Sequence, residues 1–106
     1  MVEMDQVREL TERIVQHFQP ERIILFGSYA RGAPGEDSDV DLLVVMPFEG
    51  RSLGKALEIL NAAKPCFALD LIVRTPEHLQ ERLAQGDFFL REVTEKGTVL
   101  YEASHR

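Results

Sequence analysis

Residues 22–45 read R-I-I-L-F-G-S-Y-A-R-G-A-P-G-E-D-S-D-V-D-L-L-V-V. Two apolar runs flank a segment with three glycines and a proline. Arg22 to Phe26 is short, apolar and stopped by Gly27, the pattern of a buried strand. Asp39 to Met46 predicts a second strand. Residues 27–38 predict a turn, one helical turn from Ser28, and then a loop. Twelve residues are long for a plain hairpin, and long loops often carry function.

Working outward, Val7, Leu10, Ile14 and Phe18 recur at helical spacing, with Val15 widening the stripe and Pro20 ending it. Pro47 and Gly50 break the chain after the second strand. Leu53, Ala56, Leu57 and Leu60 then predict a helix over about 52–63. Phe67 to Val73 predicts a third strand. Thr75-Pro76 is a helix start, with a capping hydroxyl and proline at the first helical position. That helix is expected to end at Gly86. Another, from Phe88 to Lys96, is expected to end at Gly97, before a last strand over Thr98 to Glu102. The expected fold is α/β in the broad sense (α+β): a mixed sheet of about four strands with helices packed on one face.

The chain has 106 residues, which predicts a single domain over 1–106. Eighteen acids against twelve bases give a net charge of −6. Such a surface does not coat nucleic acid, which takes clustered Lys and Arg, so no direct nucleic-acid binding is expected. It allows a single triphosphate, because a metal supplies the missing positive charge. The lone cysteine, Cys66, excludes an internal disulfide and a cysteine zinc cage, and is expected as a small buried residue in a reducing compartment. No apolar run reaches the roughly 20 residues of a membrane span, and no signal peptide is legible. The expected location is cytoplasmic.

Three features carry chemistry. Gly27 lets backbone approach a ligand closely, and Ser28 offers a hydroxyl and backbone N–H groups that suit a phosphate. An ordinary strand-to-helix turn with a serine cap would look the same. Asp39 and Asp41 point the same way, since a strand alternates faces, while Val40 points into the core. Two carboxylates on one face repel each other unless a cation lies between them, and Mg²⁺ with its hard oxygen ligands is the natural one. The bland alternative puts Asp39 in the turn and Asp41 on an exposed edge; the following Leu42-Leu43-Val44-Val45 argues against that edge. Asp70 stands alone in an apolar strand. A buried carboxylate needs a partner or a metal. A salt bridge to Arg74 or Arg31 would serve as well.

The combined pattern is G-S-x10-D-x-D. With each fixed position filled at about 7%, chance places it in such a chain roughly two times in a thousand. Other readings fall away. Gly27 and Gly32 have P-loop spacing, but Ala33 and Pro34 follow where lysine is needed. Ser28 lies in no G-x-S-x-G elbow. His17, His78 and His105 have no metal-ligand spacing and read as surface residues.

Gly27-Ser28, Asp39-x-Asp41 and Asp70 together resemble the site of the polymerase-β-like nucleotidyltransferases. The text G-S-Y-A-R-G…D-S-D-V-D-L-L-V is similar to the minimal nucleotidyltransferase (MNT) group. The resemblance covers about Arg22 to Val73. It implies that Gly27 and Ser28 hold the β- and γ-phosphates of ATP, with Arg31 reaching the triphosphate from the turn. It implies that Asp39, Asp41 and Asp70 bind two Mg²⁺ ions, and that Asp70 accepts the proton of an attacking hydroxyl. MNT proteins pair with HEPN toxins, so it implies an antitoxin that moves AMP from ATP to a tyrosine of a HEPN partner. A chain nearly consumed by the catalytic sheet leaves the acceptor site open or shared with another chain. The alternatives are an antitoxin that neutralises by occlusion alone, a stand-alone enzyme modifying a small molecule such as an aminoglycoside, and an allosteric nucleotide-binding module.

Overall fold

The computed structural model describes residues 1–35 and 38–104. Glu36 and Asp37, inside the expected loop, and His105 lie outside the described residues. The elements run α1 (Met4–Phe18), β1 (Arg22–Phe26), α2 (Gly27–Ala30), β2 (Val40–Val45), α3 (Ser52–Ala63), β3 (Leu69–Arg74), α4 (Pro76–Ala84), α5 (Phe88–Lys96) and β4 (Thr98–Glu102). The four strands form one mixed sheet in the order β3-β2-β1-β4. β1 is antiparallel to β2 and to β4, whereas β2 and β3 are parallel and connected through α3.

The strands exist because their apolar side chains fill two cores. Ile23, Leu25, Val40, Leu42, Val44 and Val73 face one side, where Val7, Leu10 and Ile14 of α1 and Ala56, Ile59 and Ala63 of α3 cover them. Ile24, Leu43 and Val45 face the other side, against Leu79 of α4 and Leu90 and Val93 of α5. The mixed four-stranded sheet is as expected. The single helical layer is not: helices cover both faces. β1 and β2 lie centrally and are apolar on both sides, so each side needs a cover.

Local signals fix the helix starts. Thr75 Oγ1 accepts the His78 N–H at 3.1 Å, and Asp87 Oδ1 accepts the Leu90 N–H at 3.0 Å. Gly97 ends α5 for a different reason than expected. Its backbone is extended (φ −72°), not left-handed. A Cβ there would lie 2.6 Å from Ile24 Cγ2 and 2.9 Å from the Leu25 carbonyl oxygen. Glycine is needed because α5 turns into β4 directly against β1.

Cys66 is exposed, contrary to expectation, in the connection before β3. His17 and His78 are exposed as expected. Among the described residues no helix is long and apolar enough to cross a membrane.

Candidate active site

Three strand ends meet on the α4/α5 side of the sheet. Phe26 closes β1, and pairs in register with Asp41 of β2. Asp41 pairs in turn with Asp70 of β3. One row across the sheet therefore reads Phe26–Asp41–Asp70. Two residues along, the same face reads Ile24–Leu43–Ile72 and is packed under α4 and α5. The helices cover the inner row, and the carboxylate row lies beyond it.

Gly27 follows Phe26 and turns the chain into α2, with φ at +75°. That backbone region is open to glycine and costly for other residues. The open side of Gly27 faces Asp41: a Cβ there would overlap Asp41 Oδ2 and lie 3.1 Å from its Cγ. The expected reason for glycine was access for a phosphate. The structure gives a second reason, which is room for the carboxylate itself. Ser28 is half-buried in the single turn of α2, and its hydroxyl makes no hydrogen bond among the described residues. Arg31 caps α2, its N–H donating to the Gly27 carbonyl at 3.2 Å.

Asp41 is half-buried, whereas Asp39 and Asp70 are exposed. The expectation of a buried Asp70 is thereby overturned. β3 is an edge strand, and its end is not roofed by α4. Asp39 lies just before β2, in the incoming segment. None of the three carboxylates forms a salt bridge among the described residues, so neither Arg74 nor Arg31 neutralises Asp70.

The electrostatics reflect this crowding. Burial pushes the Asp41 carboxyl above the usual carboxylate range. The neighbouring Asp70 charge raises it further, as does a hydrogen bond shared with Asp70, and Asp39 adds to both. The Arg31 guanidinium acts in the opposite direction. This is a set of like charges short of a counter-charge.

Among the described residues no three His, Cys, Asp or Glu side chains form a ready metal cage. Mg²⁺ keeps several waters and takes one or two carboxylates plus substrate phosphates rather than an all-protein shell. The donors here are hard oxygens, crowded together and without a salt bridge among the described residues. They fit such an ion.

A cleft of about 230 Å³ adjoins this row, between the end of β1 and α5. Phe26, Gly27 and Arg31 form one side, and Phe89, Glu92 and Lys96 the other. The sequence motif does not reach α5. The available signal was the Phe88-Phe89 pair, one residue of which is 78% and the other 48% exposed.

The nucleotidyltransferase domain family model matches residues 7–101 of the chain. A Methanocaldococcus jannaschii protein named "putative protein adenylyltransferase" is 35% identical over 82 residues, 76% of this chain and 77% of that protein. Among solved structures, a "putative nucleotidyltransferase" from Sulfolobus solfataricus superposes with a TM-score of 0.65 at 19% identity, over 93% of this chain and 79% of that one. A toxin-antitoxin structure with AMP-PNP superposes with a TM-score of 0.59 at 20% identity, covering 92% and 74%. A mutant of the toxin-antitoxin MntA-HpeT gives 0.54 at 18%, covering 98% and 75%. These likenesses are of fold.

Proposed function

The chain belongs to the nucleotidyltransferase domain family, and on that premise we propose that it transfers AMP from ATP to a hydroxyl acceptor, a tyrosine of a partner HEPN toxin, and so acts as an antitoxin. The observation that carries this reading is the pairing of Asp41 with Asp70 opposite the Gly27–Ser28 turn. A relative named for protein adenylyl transfer supports a protein acceptor, and fold relatives from toxin-antitoxin complexes support a toxin partner.

In this reading the Gly27–Ser28 turn holds the β- and γ-phosphates, and Arg31 reaches the triphosphate from the end of α2. Two Mg²⁺ ions held by Asp39, Asp41 and Asp70 would polarise the α-phosphoryl group, favour the attacking alkoxide and neutralise the leaving pyrophosphate. Asp70, exposed on the edge strand, accepts the hydroxyl proton. The acceptor oxygen bonds to the α-phosphorus, the bond to the β-phosphate bridging oxygen breaks, and pyrophosphate leaves on the Gly27 side. The acceptor enters over β3, the edge strand on which Asp70 is exposed.

The test uses ATP labelled at the α-phosphate and a candidate partner chain. Wild type is expected to label the partner, release pyrophosphate and require a divalent ion. Asp70→Asn keeps the side-chain volume and is expected to bind the partner without labelling it. Full neutralisation of the toxin by Asp70→Asn would assign protection to occlusion instead. Label on a small hydroxylated compound but on no protein would assign a stand-alone enzyme.

A further inference from the structure

We propose that the crevice at the far end of the sheet, where β2 and β3 give way to α3 and α4, binds the phosphate group of a small phosphorylated molecule. It is separate from the carboxylate row and stands independently of the reading above. β2 and β3 are parallel neighbours in one register, so both end at the same edge. From there the chain parts. α3 packs on one face of the sheet through Ile59, and α4 on the other through Leu79. Parallel neighbours whose connections leave to opposite faces open a crevice beyond their carboxyl ends, the place where open α/β sheets hold ligands. The carboxylate row lies towards the amino ends of the same strands. Asp41 and Val45 are four residues apart in β2, about 13 Å along a strand.

Size and chemistry agree. The crevice measures about 450 Å³, within the roughly 300–1,000 Å³ of small-molecule sites. Ser52, Arg74, Thr75 and His78 line it, and no carboxylate does. Arg74 is half-buried and forms no salt bridge among the described residues. Glu49 and Glu77 lie near it in sequence, but both are exposed and neither pairs with it. Its Nη1 donates to the Val73 carbonyl at 2.8 Å, which holds the guanidinium and leaves further N–H donors over. In a chain of net charge −6, a cavity lined by an arginine without a counter-charge and by no acid selects an anion. The planar fork of arginine matches the oxygens of phosphate.

Ser52 brings donors from a second element. It is the first residue of α3, half-buried, and its hydroxyl makes no hydrogen bond among the described residues. α3 starts without a side-chain cap and without an acid in its first turn, so its leading N–H groups are left for an outside acceptor. Thr75 is already engaged, since its Oγ1 accepts the His78 N–H at 3.1 Å. That bond fixes the start of α4, and the His78 ring stands exposed at the rim. Arginine donors from the end of β3 and hydroxyl and backbone donors from the start of α3 thus share one cavity.

Amide NMR titration of the full chain with inorganic phosphate and with glycerol 3-phosphate tests this. EDTA is present, so that the carboxylate row carries no cation, and chloride holds the ionic strength constant. In wild type the Ser52, Leu53 and Arg74 amides are expected to shift and saturate, while Gly27 and Asp41 stay in place. The tighter of the two probes tells a free phosphate ligand from a phosphate monoester. Arg74→Gln is expected to weaken binding by about tenfold or more, and Arg74→Lys to restore part of it. Ser52→Ala is expected to weaken it severalfold, and serves as the second variant should Arg74→Gln lose the wild-type amide spectrum. Shifts that never saturate, or that chloride reproduces, overturn the proposal. So does unchanged phosphate affinity in folded Arg74→Gln and Ser52→Ala. Saturating shifts centred on Gly27 and Ser28 instead overturn it and assign the phosphate to the catalytic turn. Binding of Mg·ATP is expected to be unchanged in both variants, so failure here leaves the proposed transferase function standing.

Discussion

Two rows of the same sheet face lie one pleat apart and behave oppositely. Leu43 and Ile72 pair across β2 and β3 beneath α4 and α5. Asp41 and Asp70 pair across the same strands, two residues earlier, and carry charge. Backbone geometry is the same in both rows, and the difference is the roof. Covered positions must be apolar, because a buried unpaired carboxylate is expensive. Uncovered positions can hold like charges together, at a cost that a bound cation would turn into affinity. A chemical site on this fold is thus the continuation of its core past the edge of the helices.

The sharpest break of that comparison is Asp70→Asn. Transfer of labelled AMP should fall on the order of 10²–10⁴-fold, the usual contribution of a positioned proton acceptor. The melting temperature should not fall, since Asp70 is exposed and no salt bridge is lost. An active variant would separate this row from the chemistry. Gly27→Val should damage both properties together. Its side chain would collide with Asp41 and would force a φ of +75° at a strained cost of about 1–3 kcal/mol. Denaturant unfolding and ATP titration should both record the loss.

Leu43→Ala is the mirror test in the covered row. Leu43 is 1% exposed, so stability should drop by about 2–5 kcal/mol. ATP affinity of the folded fraction should hold. A large selective loss of ATP affinity would show that the two rows are not independent.

A smaller effect follows from the raised Asp41 pKa. The folded state then binds this proton more tightly than the unfolded chain, whose value is near 3.8. Linkage makes the metal-free protein gain stability from this group as pH falls through the raised pKa towards 3.8. At neutral pH the ionised group costs stability. Asp41→Asn should remove this slope and melt no lower than wild type at pH 7. Mg²⁺ should raise the wild-type melting temperature and leave the variant's unchanged. A wild-type melt indifferent to divalent ions would count against metal binding by this row.

Asp87 gives the smallest expected effect. The Leu90 N–H holds its carboxyl below the usual range, helped by Arg82. Its contribution is present above the unfolded value near 3.8 and is lost as pH falls through the lower folded one. Asp87→Ala should loosen the start of α5 and reduce the melting temperature slightly at neutral pH.

Much of this molecule is written locally. Period-two alternation put Asp41 on one face and its neighbours Val40 and Leu42 on the other. Apolar runs marked β1, β2 and β3, and Thr75-Pro76 marked the start of α4. Each of these signals acts within a few residues, where bond geometry and sterics suffice. Tertiary packing decided the rest. Asp41 meets Asp70 only because β2 and β3 run parallel in one register, set by the α3 crossover and the core beneath it. Asp70 is exposed because β3 became an edge. Glycine at 97 is explained only once α5 lies against β1, and the cleft beside Gly27 exists only in that arrangement. A residue's own neighbours along the chain fix which face it takes, but burial depends on what arrives from far along the chain to cover that face.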